Sequence, residues 1–465
     1  MTPKRRRVRL ILLVVLVAIP AVFVGTAVVR RHLAARRLAA VIAEIDRTDP
    51  HWRLDDLERA RAKVADNENF AVALDAAFGK LARPAQTLTQ GLATADSHPP
   101  SNVRLTPEHE AAARALLATN AAALPDVLVL ADYPRGRHAI TYSPDAVSTL
   151  LRHVDRMTLV NGWAIDSLEL LAIHDGDVSR ALRMFRARLN CGRSLQDEPI
   201  LISQLVRGGH RGRAVRGLER LLGHTTLTAA QLAEVRRELE VELADDPWPV
   251  AIRGERAMAD RTMDALRTGS VKTSYLKALS IQSYQPTVQE RVGDWIKDHI
   301  AIEVLPAHAF ALEVLTRAVA TEKLPWPERL AAMESLDAEL RSGPEPAQWL
   351  ATIDLTKRCR WMMAGQAVLR TAIAAVAVEE YRARTGDWPK SLAAVGVALP
   401  DDPFTGKPLL LKRLTDGVAV YSVGPNGRDD GGALMDYYER RPEDYDIGFR
   451  LWDVPKRNQS PGDRP

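Results

Sequence analysis

Apolar positions are distributed along this chain in two ways. From Leu10 to Val29 they run without a charge, LILLVVLVAIPAVFVGTAVV, and from Leu33 onward they recur between polar residues. Twenty such residues in an α-helix match the roughly 30 Å hydrocarbon core of a bilayer, so residues 10–29 predict a transmembrane helix behind a basic tail, residues 1–9. The run exceeds the apolar core of a cleaved signal peptide, although Gly25-Thr26-Ala27 could pass as a cleavage site. Leu33, Leu38, Val41, Ile42 and Ile45 then carry a helical period straight on. The expectation is an uncleaved anchor.

Residues 30–341 read as a helical domain. Thr106-Pro107-Glu108 supplies an N-cap followed by proline at the first helical position. Thr228-Ala229-Ala230-Gln231 has the form of a capping box. Asp145 to His174 reads as one helix, HDGD at 174–177 as a tight break, and VSRALRMFRARLNCGRSL as the next helix. That hairpin is similar to a tetratricopeptide unit, but no fixed period joins the helices. The prediction is therefore an irregular, tetratricopeptide-like array. Residues 268–286 read as a polar break before helix resumes from Thr287 to Lys323, and SGPEPAQ at 342–348 reads as a linker.

Past residue 349 the pattern changes. Leu350 to Arg384 predicts a long helix stopped by Gly386. LLLKRL and VAVYSV around Thr415-Asp416-Gly417 predict a hairpin, and DIGFRLW a third strand. Residues 349–454 are thus expected to form a small α+β module with a short antiparallel sheet, and 455–465 a disordered tail. The fold class is mainly α.

Composition adjusts this picture in one respect. The formal charge is +4 and the isoelectric point near 9.0. Nine cations and no acid lie within residues 1–37, and without them 54 basic residues face 59 acidic ones, about −5. The basicity belongs to the anchor, where it suits anionic headgroups, and nothing calls for a nucleic-acid partner. Cys191 and Cys359 match no metal or redox spacing and read as buried apolar side chains.

Catalytic signatures are missing. Glu108-His109-Glu110 lacks the second histidine of a zinc motif, and there is no GxSxG or phosphate-binding loop. Ser274-Tyr275-Leu276-Lys277 has the SxxK form without its companion elements, and reads as a polar loop or helix start. Asp175 and Asp177 read as a helix stop and an N-cap, and Trp163, Trp248, Trp326 and Trp349 as plugs at helix junctions. No catalytic residue is assigned.

The last ninety or so residues resemble the globular half of type II secretion pseudopilins. The likeness rests on YRARTGDWP at 381–389, DPFTGKP at 402–408, YSVG at 421–424, Asn426-Gly427, DDGG at 429–432 and Asp446-Ile447. In that family an apolar stem runs directly into the module, whereas here the span lies more than three hundred residues earlier. The resemblance implies an extracytoplasmic module whose Gly/Asp loop can hold a calcium ion, which makes Asp429, Asp430, Asp444 and Asp446 candidate ligands; no other cofactor is expected. The same residues, taken alone, also suit a solvated turn. The remainder resembles only uncharacterised bacterial single-pass helical proteins.

Five cations before the span and five within twenty residues after it nearly tie. The density of charge before the span and the C-terminal resemblance favour the large domain outside. The resulting expectation is a single-pass, membrane-anchored binding or scaffolding protein of the cell envelope. Its partners would be the lipid bilayer and an envelope protein. The alternatives are a membrane-anchored envelope hydrolase and an accessory component of a secretion system.

Overall fold

The helix that begins in the apolar run does not stop at its end. In the computed structural model, which describes residues 3–83, 100–272, 287, 304–348, 350, 353–434 and 445–461, helix α1 extends over Pro3–Thr48. Its 46 residues make a rod of about 69 Å at 1.5 Å per residue. Leu16, Val17, Ile19, Val22, Val24, Val28, Val29 and Leu33 are exposed, as befits a surface meant for lipid. Further along, Leu38 and Ile45 are buried, packed with Trp52 against Leu305, Ala309 and Leu312. Arg37 clamps Glu313 through two hydrogen bonds of 3.0 and 2.5 Å. One helix is therefore apolar outward first and apolar inward afterwards.

The first helical layer holds α2 (Leu54–Ala60), α3 (Phe70–Gly79), α4 (Pro107–Thr119), α5 (Leu124–Val129), α6 (Arg152–Val160) and α7 (Asp166–His174). Its core gathers Phe70, Leu74, Val127, Leu130, Met157 and Val160. The Thr106 hydroxyl caps α4 by accepting from the His109 amide, with Pro107 at the first helical position. The single helix expected over Asp145–His174 is corrected in two places. Asp145 accepts the Ser143 and Ser148 hydroxyls and the Ser148 amide, which locks a turn, and helix starts only at Arg152. A π-turn over Asn161–Ile165 then separates α6 from α7, and the Asn161 side-chain Nδ2 donates back to Met157 O at 2.8 Å.

The second layer comprises α8 (Val178–Arg193), α9 (Leu201–His224), α10 (Ala229–Ala244), α11 (Trp248–Thr268), α12 (Val304–Ala320), α13 (Trp326–Ser342) and a single turn α14 (Glu345–Gln348). Gly176 at φ +75° and the Asp177 side chain, accepting from Arg180 N, make the tight break before α8. Thr228 and Gln231 form the capping box of α10. Trp248 and Trp326 meet edge to face at 6.5 Å, with the Arg329 guanidinium over both rings.

The longest helix of the body is α15 (Leu355–Thr385), which Gly386 ends at φ +87°. Its buried residues share one core with α8, α9, α10 and the sheet. That sheet is antiparallel in the order β1 (Leu410–Leu414), β2 (Gly417–Ser422), β3 (Ile447–Trp452). Leu414 pairs with Gly417 and Val420 with Phe449, so Thr415-Asp416 alone turns the hairpin. Gly417 lies inside the strand, where a Cβ would strike the Leu451 carbonyl.

Three sequence expectations on domain limits give way here. Residues 349–454 are no separate module, since α15 shares its two cores with helices α8 to α13 as well as with the sheet. The stretch 342–348 is no free linker, because Glu345–Gln348 is helical and Ala347 is buried against α11 and α12. The tail is ordered through residue 461. Arg457 reaches Thr225 O, Asn458 N donates to Gly223 O, and Gln459 N donates to Asn102 O. Among the described residues, three helices are long and apolar enough to cross a membrane. The apolar window of α1 is fully uncovered, whereas those of α12 and α15 are 61% and 78% buried inside the body.

Candidate functional site

Among the described residues, four groups of polar side chains bear on chemistry. The first is a buried knot between α2, α6 and the end of α8. His138 and His153 stack at 4.5 Å, His138 Nε2 lies 3.0 Å from Ser194 Oγ, and His153 Nε2 lies 3.0 Å from Glu198 Oε2. Arg61 is enclosed by Glu58, Asp197, Glu198 and the His138 carbonyl. Serine, histidine and carboxylate in contact suggest a nucleophile, but the hydrogen bonds run the wrong way. Ser194 Oγ donates to Cys191 O at 2.8 Å, so His138 must donate to Ser194 and cannot take its proton. Ser194 and Glu198 are fully buried, and burial beside His153 and Arg61 holds His138 well below the usual histidine range. The knot ties elements together.

The second group lines a cleft of about 490 Å³ between α8, α9 and α10. Glu242 is buried and bridges Arg193 Nε at 2.5 Å and Arg211 Nε at 2.7 Å. Arg193 also holds Glu238 at 2.6 Å, and Arg207 holds Asp245 at 2.6 Å. These guanidinium groups keep the Glu242 carboxyl below its ordinary value despite the opposing effect of burial. Sequence reasoning missed the cleft. The signal lay in Glu234, Glu238 and Glu242 at intervals of four and Arg207 and Arg211 likewise, each set marking one helical face.

The third is the Gly/Asp loop. Asp429, Asp430 and Asp446 come together, while Asp444 lies outside the described residues. Asp446 is buried and accepts the amides of Asp430 at 3.3 Å and Gly432 at 2.7 Å, while burial pushes its carboxyl upward. Asp429 accepts the Tyr421 hydroxyl and the Gly431 amide, and Asp430 accepts Asn426 Nδ2. The Lys412 ammonium donates to the Gly431 carbonyl. Calcium needs six to eight free oxygens, and this arrangement spends its carboxylates on N–H and O–H donors beside a resident cation. The described residues do not fit the ion well.

The fourth is Glu110, His174 and Asp175, whose ligand atoms lie within 4.8 Å of one another. Arg114 sits between both carboxylates, at 2.9 Å from Glu110 and 2.7 Å from Asp175, and already supplies the positive charge. Of the other sequence candidates, Asp177 is the N-cap of α8, and Cys191 and Cys359 are free and buried in different cores. Ser274, Lys277 and Trp349 lie outside the described residues. Compared with protein-family models, curated proteins and solved structures, the chain finds no match.

Proposed function

We propose that this chain is a single-pass protein of the cell envelope whose body, from residue 30 onward, lies outside the membrane and works by binding or scaffolding. The observation that carries this reading is α1, apolar in sequence over the span, exposed at its described apolar residues from Leu16 to Leu33, and buried at Leu38 and Ile45 in one uninterrupted helix. Such a body is held by its anchor, not trailed on a flexible linker. The enclosure of α12 and α15 supports a single crossing.

The polar groups support binding over catalysis. In the knot, the cleft and the Arg114 cluster, acids and bases are largely spent on one another, leaving no nucleophile beside a free base. The long helix followed by hairpin and third strand supports the pseudopilin-like reading and, with it, an extracytoplasmic address. The α7–α8 hairpin supports a tetratricopeptide-like binding surface in the same sense.

Three measurements test the reading. Alkaline carbonate should leave the chain in the membrane pellet, and a periplasmic reporter fused after Pro465 should be active. Crosslinking of intact membranes should capture a defined protein partner. Release by carbonate or a reporter active only inside would overturn the topology, and a chain without partners would overturn scaffolding.

A further inference from the structure

Between α5 and α6 an irregular strap, residues 133–142, crosses the buried knot and meets regular pairing only at the bridge of Arg135 to Asn69. Its attachments are largely polar. Phe70 N donates to Arg135 O at 2.9 Å, and Arg137 N donates to Asn69 Oδ1 at 2.9 Å. The Arg137 guanidinium reaches Arg61 O and Glu58, and Tyr142 donates its hydroxyl to Glu58. From Tyr133 to Pro144 a single residue is buried, and that residue is His138, 4% exposed. The plug that seats the strap is a titratable ring.

Its seat suits only a neutral imidazole. His138 Nε2 donates to Ser194 Oγ, because the Ser194 hydroxyl is already committed to Cys191 O. A proton on the other ring nitrogen would place a cation among groups that repel it. His153 of α6 stacks on His138 at 4.5 Å and 14°, Arg61 at the end of α2 donates to its carbonyl, and Arg156 of α6 also opposes a positive ring. Phe70 of α3, edge-on at 6.5 Å, and Ser194 beyond α8 bring no charge. The acids nearby are spent: Glu198 on His153 and Arg61, and Asp197 and Glu58 on Arg61. Among the described residues none of them pairs with His138. The backbone leaves no slack either, since a Cβ on Gly136 would stand 2.7 Å from that of Ser194 and 2.9 Å from that of Phe70.

We propose that the strap is an acid-operated latch, closed over the knot while His138 is neutral and released when its ring takes a second proton. The sign follows from linkage. A histidine barred from protonation when seated, and free to protonate when released, holds the strap above pH 6.5, and that hold is lost as pH falls. The same strap carries Pro134, which lines the cleft between α8, α9 and α10, so its release would open one wall of that cleft.

The test follows amide hydrogen exchange of the full chain in detergent micelles from neutral to acidic pH, each rate corrected for the intrinsic pH dependence of exchange. Peptides covering 133–142 should lose about tenfold or more in protection between pH 6.5 and about pH 5, the response of one linked proton. Peptides from the buried stretch 372–378 of α15 should keep theirs. His138→Gln retains a side-chain N–H for Ser194 but cannot titrate, and its strap should show no such loss. Should that variant not fold, the contrast between strap and α15 in wild type decides alone. A wild-type strap indifferent to acid, a loss shared equally by α15, or an equal loss in His138→Gln would each overturn the latch.

Discussion

Arg457 and Glu379 meet in a buried two-point ion pair, Nη2 to the two carboxylate oxygens at 2.8 and 3.0 Å, across 78 residues of chain. Glu379 belongs to the long helix α15, and Arg457 to the segment after the last strand. Arg382 also holds Glu379, at 2.7 and 2.9 Å, while Arg457 adds bonds to Trp452 O and Thr225 O. The end of the chain is thereby fastened to helix α9 and to the centre of the body at once.

Removing one partner of a buried pair strands the other charge. Arg457→Ala is expected to cost about 2–4 kcal/mol, moderated because Arg382 remains beside Glu379. Chemical denaturation of the wild-type and variant proteins measures it. A midpoint shift below one tenth of a molar in urea would contradict the structural role assigned to the tail.

Stability should depend on pH through groups of opposite sign. Burial pushes the Glu255 and Glu219 carboxyls up to about 7, so the folded protein holds these protons longer than the unfolded chain. Their contribution is complete below pH 4.5 and is lost as pH rises through about 7. Burial lowers His210 to about 3 and His224 to about 4, so their contribution is present above 6.5 and lost as pH falls. The two effects overlap in wild type, and the difference between wild type and Glu255→Gln isolates one. That variant should gain on the order of 2–3 kcal/mol relative to wild type between pH 5 and pH 8. Parallel stability curves across that range would refute the buried, proton-holding carboxyl.

Trp52 pins the anchor helix to the body. It is buried, donates Nε1–H to Asp46 at 2.8 Å, and has the Arg53 and Arg256 guanidinium groups over its ring. Trp52→Ala should cost roughly 3–5 kcal/mol and loosen residues 38–52 without releasing the chain from the bilayer. Hydrogen exchange in that stretch should rise while carbonate extraction is unchanged. Unaltered exchange would show that Trp52 is not the pin.

Millimolar calcium should leave the melting midpoint in place, because Lys412 and the loop amides already occupy the Gly/Asp loop. A calcium-dependent rise of several degrees would restore the ion that the pseudopilin resemblance implies.

What the sequence reveals is what is local. Thr106-Pro107, Thr228 with Gln231, Gly176 and Gly386 act within a turn of where they stand, and the structure uses each as expected. The break at Asn161–Ile165 is invisible to apolar periodicity, because the residues on both sides keep facing one core. Pro and Gly around residue 343 suggest a linker, yet Gly343 serves close packing, with Phe310 where a Cβ would stand. The domain boundary fails for the same reason. A helix as apolar as α15 reads as part of its sequence neighbourhood, while its burial depends in large part on α8, α9 and α10, which come well before it. The cleft draws on residues 134 to 245, and only the four-residue charge spacing hinted at it.

The unbroken run of α1 also sets a phase. Because helix continues from the lipid-facing segment into the docked one, each residue added or removed near Arg30 would turn the whole body by about 100° about the rod and shift it about 1.5 Å along it. Which side of the body meets its neighbours on the membrane surface is therefore encoded in the count of residues between the apolar run and Leu38, much as the teeth of a gear fix the hour a hand points to.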